Sequence, residues 1–352
     1  MEAWEHDLAI SIHAFYVGER EAGQRSCERG LAMEIPWVIE NNFRSNLAFY
    51  APVLSSLFSV TYISLNESNR KPGWSLFNPT IIRHGEKHIV LIRSSNYKII
   101  DGRYDIQDSS HVIRTEYQYA EFYDGEIRYR GCISQPSYDK TNYPVDGMED
   151  LRLLSHNGGL LVSGTIRNCA PYDGTARIGI AKLDPVNLDL HSMKVFESVS
   201  EGRHEKNWMP IEGDGTSWVY SCHDDGAVSK VVYNGQSIEK FKMGPSPVIS
   251  RSFRGGSQLI KWEDGYLCVT HEVAHFHDGR CYLHRFIKLD NELKITAWSD
   301  AFFFKESGSI EFASGISMDG DDLLVAFGVM DKEAYLLKIK CKDVKWYLNH
   351  LA

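Results

Sequence analysis

The stretch Phe77-Asn78-Pro79-Thr80-Ile81-Ile82 returns four more times in altered form. Its counterparts are Met148-Glu149-Asp150-Leu151-Arg152-Leu153-Leu154, Glu205-Lys206-Asn207-Trp208-Met209-Pro210-Ile211, Gly255-Gly256-Ser257-Gln258-Leu259-Ile260 and Phe312-Ala313-Ser314-Gly315-Ile316. Each leads through a short polar turn into an apolar, strand-like run. Five such strands with a variable polar position suit a radial scaffold whose blades each hand a different group to one axis. The expectation is an all-β chain, a five-bladed β-propeller with a short N-terminal α-helical cap. A β-sandwich, the other all-β architecture, would not produce five similar units.

Working outward, period-two alternation continues after each copy. Second strands are expected at 88–93, 160–166, 217–222, 266–271 and 323–328, and third strands at 112–122, 176–183, 229–233, 282–289 and 334–339. The alternating run 60–65 is placed to complete the blade of 334–339 and so close the ring. Residues 4–60 read differently, with helix formers broken by Gly30 and Pro36. Three helices are expected there, the last over 38–57 with a kink at Pro52. The division is a helical cap at 1–58 and a propeller at 59–352.

Bulk composition limits the function. The 352 residues are 43% hydrophobic and 24% charged, as in a soluble globular protein with a substantial core. A net charge of -9 argues against nucleic acid or an anionic membrane as partner, because both are bound through basic surfaces. The seven cysteines lack close pairs, which predicts reduced, buried thiols rather than a disulfide frame or zinc site. The first residues have no basic region leading into an apolar run, and no stretch approaches a membrane span. A cytoplasmic location is the expectation.

The inner strands of a propeller bring distant polar residues together. In the 147–152 segment Asp150 and Arg152 share a strand face, whereas Glu149 points the other way unless the strand bulges. If that face lines the channel, Asp150 is a proton donor for a leaving glycosidic oxygen, with Arg152 beside it binding an anion. An ion pair holding strand ends reads the same spacing equally well. Lys206 is a point charge suited to phosphate, and Asn207 can both donate to and accept from a sugar hydroxyl. Arg254 with the Gly255-Gly256-Ser257 turn can cradle an anion. His271-Glu272-Val273-Ala274-His275 spells a zinc-peptidase motif, but that motif needs a helix and 266–271 reads as a strand, so no metal or other cofactor is expected. Arg93, Asn96 and Tyr97, and Arg167 with Asn168, end second strands near the same rim.

Taken together these segments resemble the five-bladed propellers of glycoside hydrolase family 130, the β-mannoside phosphorylases and hydrolases, and related β-mannosyltransferases. The resemblance covers about 74–339 and rests on Asn78-Pro79, Gly147-Met148-Glu149-Asp150-Leu151-Arg152, the 312–316 copy and Phe327-Gly328-Val329-Met330-Asp331. The helical preface is similar to the tail of a tetratricopeptide array. The resemblance implies that Asp150 is the general acid and that Arg152, Arg167 and Lys206 hold phosphate. Two positions depart from the family pattern: Leu151 replaces a proline, and Arg254-Gly255-Gly256-Ser257-Gln258 replaces a proline-rich segment.

The resulting expectation is a carbohydrate-active enzyme, a glycosyltransferase or glycoside phosphorylase, moving a mannosyl-like residue to or from phosphate, a nucleotide sugar or a glycan. Asp150 serves as acid/base, Arg152, Arg167, Lys206 and Arg254 hold the anion, Asn78, Asn207 and His271 contact hydroxyls, and Arg93 and Ser257 are further substrate-binding candidates. Two alternatives stay open: a glycan-binding propeller without turnover, and an interaction scaffold that docks a protein through the helical cap.

Overall fold

The computed structural model describes residues 2–64, 71–100, 103–106, 108–172, 174–199, 202–223 and 229–349; Leu65, the expected end of the closing strand, lies outside them. Three helices, α1 (Ala3–Val17), α2 (Arg20–Leu31) and α3 (Trp37–Leu47), precede five antiparallel sheets arranged as blades. Blade one runs from its inner strand Ser75–His84 through Lys87–Ser95 and Ile113–Tyr123 to Glu126–Ile133. Blade two is Glu149–His156, Gly159–Ile166, Arg177–Asp184 and Asp189–Val195, and blade three is Met209–Pro210, Ser217–Val219, Lys230–Tyr233 and Ile238–Phe241.

Blade four has a broken inner strand, Arg254–Gly255 then Ile260–Trp262, followed by Gly265–Phe276, Gly279–Leu289 and Ile295–Ser299. Trp346–Leu348 adds to its outer edge. Blade five comprises Glu311–Asp319, Asp322–Val329 and Glu333–Lys340, and its outermost strand is Ser59–Tyr62 from the start of the chain. That strand seals the ring as the alternation of 60–65 predicts, and Ile63 extends it by donating its N–H to Ala334. Closure pairs the outer edge of Glu333–Lys340, which would otherwise be open.

The core is a set of apolar clusters between neighbouring blades. Leu91, Leu153 and Val162 lie between blades one and two, and Phe196, Trp208 and Trp218 between two and three. Phe286, Phe304 and Phe327 join four to five, and Ile92, Ala326 and Leu336 join five to one. The cluster of blades three and four also takes in Cys27 and Leu31 of α2 and Phe43 and Leu47 of α3. Cap and propeller therefore share one core. Within the cap, Gly30 lets α2 approach α3 closely, because a Cβ there would come within 2.4 Å of the Phe43 ring.

The third helix is shorter than the sequence suggests. It stops at Leu47, and the segment after Pro52 lies along the connection between blades four and five, with Leu54 and Ser55 donating N–H groups to Phe303 O and Phe304 O. Pro52 has no N–H for a helical bond and disfavours helix at Ala51, so pairing with that connection wins over continuation. Among the described residues no helix is long and apolar enough to cross a membrane.

Candidate functional site

The five repeated copies are places where the inner strands leave regular geometry. Register shifts fall between Phe77 and Thr80 in blade one, opposite Asp150 and Leu151 in blade two, and between Ala313 and Gly315 in blade five. Asn78, Asp150 and Asn207, the equivalent residues of blades one to three, have φ of 42°, 47° and 58°. Asn and Asp tolerate this left-handed region better than other residues with a side chain. The variable polar position is therefore a backbone requirement as well as a chemical one. A β-bulge re-aims side chains, and here it lets Glu149 and Asp150 turn toward the same cation.

That cation is Arg93, at the end of the second strand of blade one. Its Nη1 is 2.8 Å from Asp150 Oδ1, and its Nη2 is 3.9 Å from Glu149 Oε1. Nη2 also donates to Thr115 Oγ1 at 3.3 Å, and the guanidinium stacks over Phe77, 4.9 Å from the ring centre. Asn78 Nδ2 donates a second bond to Asp150 Oδ1 at 2.9 Å. Asn78 itself is seated against the bare backbone of Gly328, where a Cβ would fall 2.2 Å from its Oδ1. Lys206 Nζ lies 3.8 Å from Glu149 Oε2 and its side chain is 42% exposed, against 23% for Asp150.

Two carboxyl groups are pushed in opposite directions. Burial works against charge on Asp150, but Arg93, Asn78 and Arg152 outweigh it and hold its carboxyl below the usual range. Asp331 accepts a 2.8 Å bond from Tyr97 Oη, yet burial, with Asp150 and Glu149 adding to it, raises its carboxyl despite the opposing pull of Arg93. At neutral pH Asp150 is firmly ionised, and Asp331 is the readier of the two to hold a proton. Surroundings that separate two carboxyl groups in this way set up acid and base roles.

Other candidates serve as struts. Arg152 is buried, its Nε bonded to Gly256 O at 2.8 Å, Nη1 to Asp150 O at 2.8 Å and Nη2 to Asn207 Oδ1 at 3.2 Å. It ties blades two, three and four together and presents no free donor pair to an anion. Ser257 is also buried, donating to Gln258 O and accepting from the Val269 N–H. Gln258 links blades four, one and five through Ile81 O and Ile316 O, each within 2.9 Å. His271 is stacked on Tyr282 at 4.9 Å and is held neutral by burial, by His284 and by Arg254 and Arg152. Glu272 points away from it into a buried cluster with Arg44 and Arg285, so the His-Glu-x-x-His spelling places its groups on opposite faces of a strand.

Asn78, Arg93, Asp150, Lys206 and Asn207 thus converge directly or through one intermediary. Arg254, exposed and in register with His271, and Arg167, which donates to Gly174 O at 3.3 Å, lie farther out. Sequence reasoning singled out no role for Glu149, Tyr97 or Asp331. Glu149 was legible only as an acid on the wrong face, since the bulge depends on the neighbouring strand, where Ser163 and Thr165 pair with Arg152 and Glu149 and Gly164 is skipped. Tyr97 carried a usable signal, an aromatic residue four positions after the arginine that ends the strand. Asp331 ended one of the segments that carry the family resemblance.

No protein-family model matches the chain, and no curated protein matches it in sequence. Its fold is nonetheless that of solved mannoside phosphorylases and glycoside hydrolases. It is similar to a β-1,2-mannobiose phosphorylase from Listeria innocua, with 13% identity and a TM-score of 0.54 over 81% of this chain and 95% of that one. A structure from the GH130 family of mannoside phosphorylases, reported with hydrolases that target β-1,2-mannosidic linkages in Candida mannan, has 15% identity and a TM-score of 0.53, covering 86% of this chain and 100% of that one. A glycosyl hydrolase from Bacteroides ovatus gives 15% and 0.53 over 77% of this chain and 85% of that one.

Proposed function

We propose that this chain is a carbohydrate-active enzyme that transfers a mannosyl-like residue between phosphate, or a phosphate-bearing sugar, and an acceptor hydroxyl. The observation that carries the reading is the ionised Asp150, fixed by Arg93 and Asn78 beside the less acidic Asp331. The mannosyl character comes from the solved relatives, two of which are a mannobiose phosphorylase and a GH130 protein.

In this mechanism Asp150 accepts the proton of the acceptor hydroxyl as its oxygen bonds to the anomeric carbon. The bond from that carbon to the phosphate oxygen breaks, and phosphate leaves with the electron pair. In the reverse direction Asp150 returns the proton to the glycosidic oxygen, so one carboxyl serves as base and acid. Asp331, the readier to keep a proton, donates a hydrogen bond to the sugar. Lys206, Arg167 and Arg254 neutralise the phosphate, since Arg152 is committed to the framework. Asn207 and His271 lie along the path of the sugar hydroxyls.

The test is a screen of purified protein with mannose 1-phosphate or GDP-mannose as donor and β-mannosides as acceptors, read by release of phosphate or nucleotide. Asp150→Asn, which keeps the shape of the side chain, is expected to lower turnover by about a hundredfold or more, as loss of a positioned acid/base does. Undiminished turnover in that variant would remove Asp150 from its role. Glycan binding without turnover of any donor would make the propeller a binding protein instead.

A further inference from the structure

Between the second and third strands of blade one the chain leaves the sheet as a two-stranded ribbon, Tyr97–Ile100 with Arg103–Ile106. Its strands pair only with each other among the described residues. The register sets Tyr97 opposite Ile106 and Ile99 opposite Tyr104, while Lys98 faces Asp105 and Ile100 faces Arg103. Directly opposed residues share a face, and neighbours along a strand do not. One face therefore carries Tyr97, Ile99, Tyr104 and Ile106, and the other carries Lys98, Ile100, Arg103 and Asp105.

Tyr97 decides which face turns to the axis. It is buried, its hydroxyl donates to Asp331, and its ring lies 5.8 Å from Phe77, the ring under Arg93. Asn96 pins the base of the ribbon by donating to Asp108 and to Val112 O and accepting from the Arg114 N–H. The same apolar face continues outward through Tyr104, whose ring meets Tyr97 edge-on at 5.1 Å. Tyr104 is 62% exposed and Ile99 is 41% exposed. A two-stranded ribbon is marginal in water, and Tyr104 and Ile99 continue the face that Tyr97 turns to the axis, whereas Ile100, 53% exposed, lies on the other face.

We infer that the ribbon of Tyr97–Ile100 and Arg103–Ile106 is one wall of the substrate site, and that Tyr104 and Ile99 form an apolar platform for the C–H face of a second sugar ring. A pyranose has a hydroxyl-bearing rim and an apolar face. The charged groups at the axis match the rim of the reacting ring, and the platform matches the face of the next. Two residues of strand span roughly 7 Å, enough to move from Tyr97 at the reacting centre to one further ring. This inference rests on the carbohydrate reading above and adds to it that the acceptor is at least two sugars long.

The experiment compares binding of methyl β-mannoside and a β-linked mannotriose to the full chain by calorimetry. Tyr104→Ala and Ile99→Ser are expected to weaken the trisaccharide by about tenfold, at least several times more than the monoside. Lys98→Ser, on the outward face, is the control and should leave both affinities as they are. Equal loss for both sugars, or no loss for either, overturns the platform while leaving the functional reading intact. A wild-type dimer that Tyr104→Ala dissociates without altering sugar affinity also overturns it, by giving the face to a second copy. A wild-type chain that binds neither sugar overturns the carbohydrate reading and this inference with it.

Discussion

Arg93 sets the chemistry of the site through contacts spread over three segments. Its guanidinium meets Asp150 and Glu149 from blade two and Thr115 from the third strand of its own blade. Removing the positive charge while keeping the apolar stem, as in Arg93→Met, takes away the largest influence holding Asp150 below its ordinary range. The Asp150 carboxyl then rises, so the ionised form is lost at higher pH. The acid limb of kcat/KM is expected to move upward by about one to three pH units. Asn78→Ala, which removes a hydrogen bond but no charge, should move it in the same direction by less. A limb that stays in place in Arg93→Met would show that Asp150 does not govern the profile. The identity of Asp150 as a candidate was legible from its place in the repeat and from the family resemblance. Its protonation state was not, because it depends on Arg93 and Asn78, 57 and 72 residues earlier in the chain.

At the scale of elements, the alternation of one strand joins the axial site to the helical cap. His271 faces the site side, and Glu272 faces a buried ionic cluster. Glu272 Oε1 accepts from Arg285 Nε at 2.5 Å, and its Oε2 accepts from Ser252 at 2.9 Å and lies 3.3 Å from Arg44 Nε of α3. Arg285 also donates to Glu28 of α2 and to Ser299 O. Glu272→Ala leaves two guanidinium groups buried without their central carboxylate, an expected cost of about 3–5 kcal/mol in urea unfolding. Adding Arg285→Met to that variant should restore part of the loss, because the uncompensated charge goes with it. Additive losses would mean that the pair is not coupled. The strand itself was readable from period two. The cluster was not readable, because Arg44 lies 228 residues from Glu272.

At the scale of the molecule, the ring is closed twice, by the strand Ser59–Tyr62 and by the helices that share the core of blades three and four. Deleting residues 1–58 would keep the closing strand but uncover Cys268, Cys281, Leu283 and Phe303 and leave Glu272 and Arg285 without Arg44 and Glu28. The truncated chain is expected to lose cooperative thermal unfolding. A wild-type melting transition in that chain would show that the propeller does not need its cap. What the sequence determined by itself was the repeating architecture: five units, the order of strands within each, a sealing strand ahead of the first blade, which the structure places at Ser59–Tyr62, and the polar position on every inner strand. Those features follow from side-chain alternation and turn chemistry, which act between near neighbours in the chain and leave a periodic trace. Only the tertiary structure decided that Arg152 is a buried strut while Lys206 stays open, that Glu149 joins Asp150 on one arginine, and that Asp331 and Tyr104 both meet Tyr97. Burial, charge state and channel access are sums over groups brought together from different blades, so no stretch of sequence holds them.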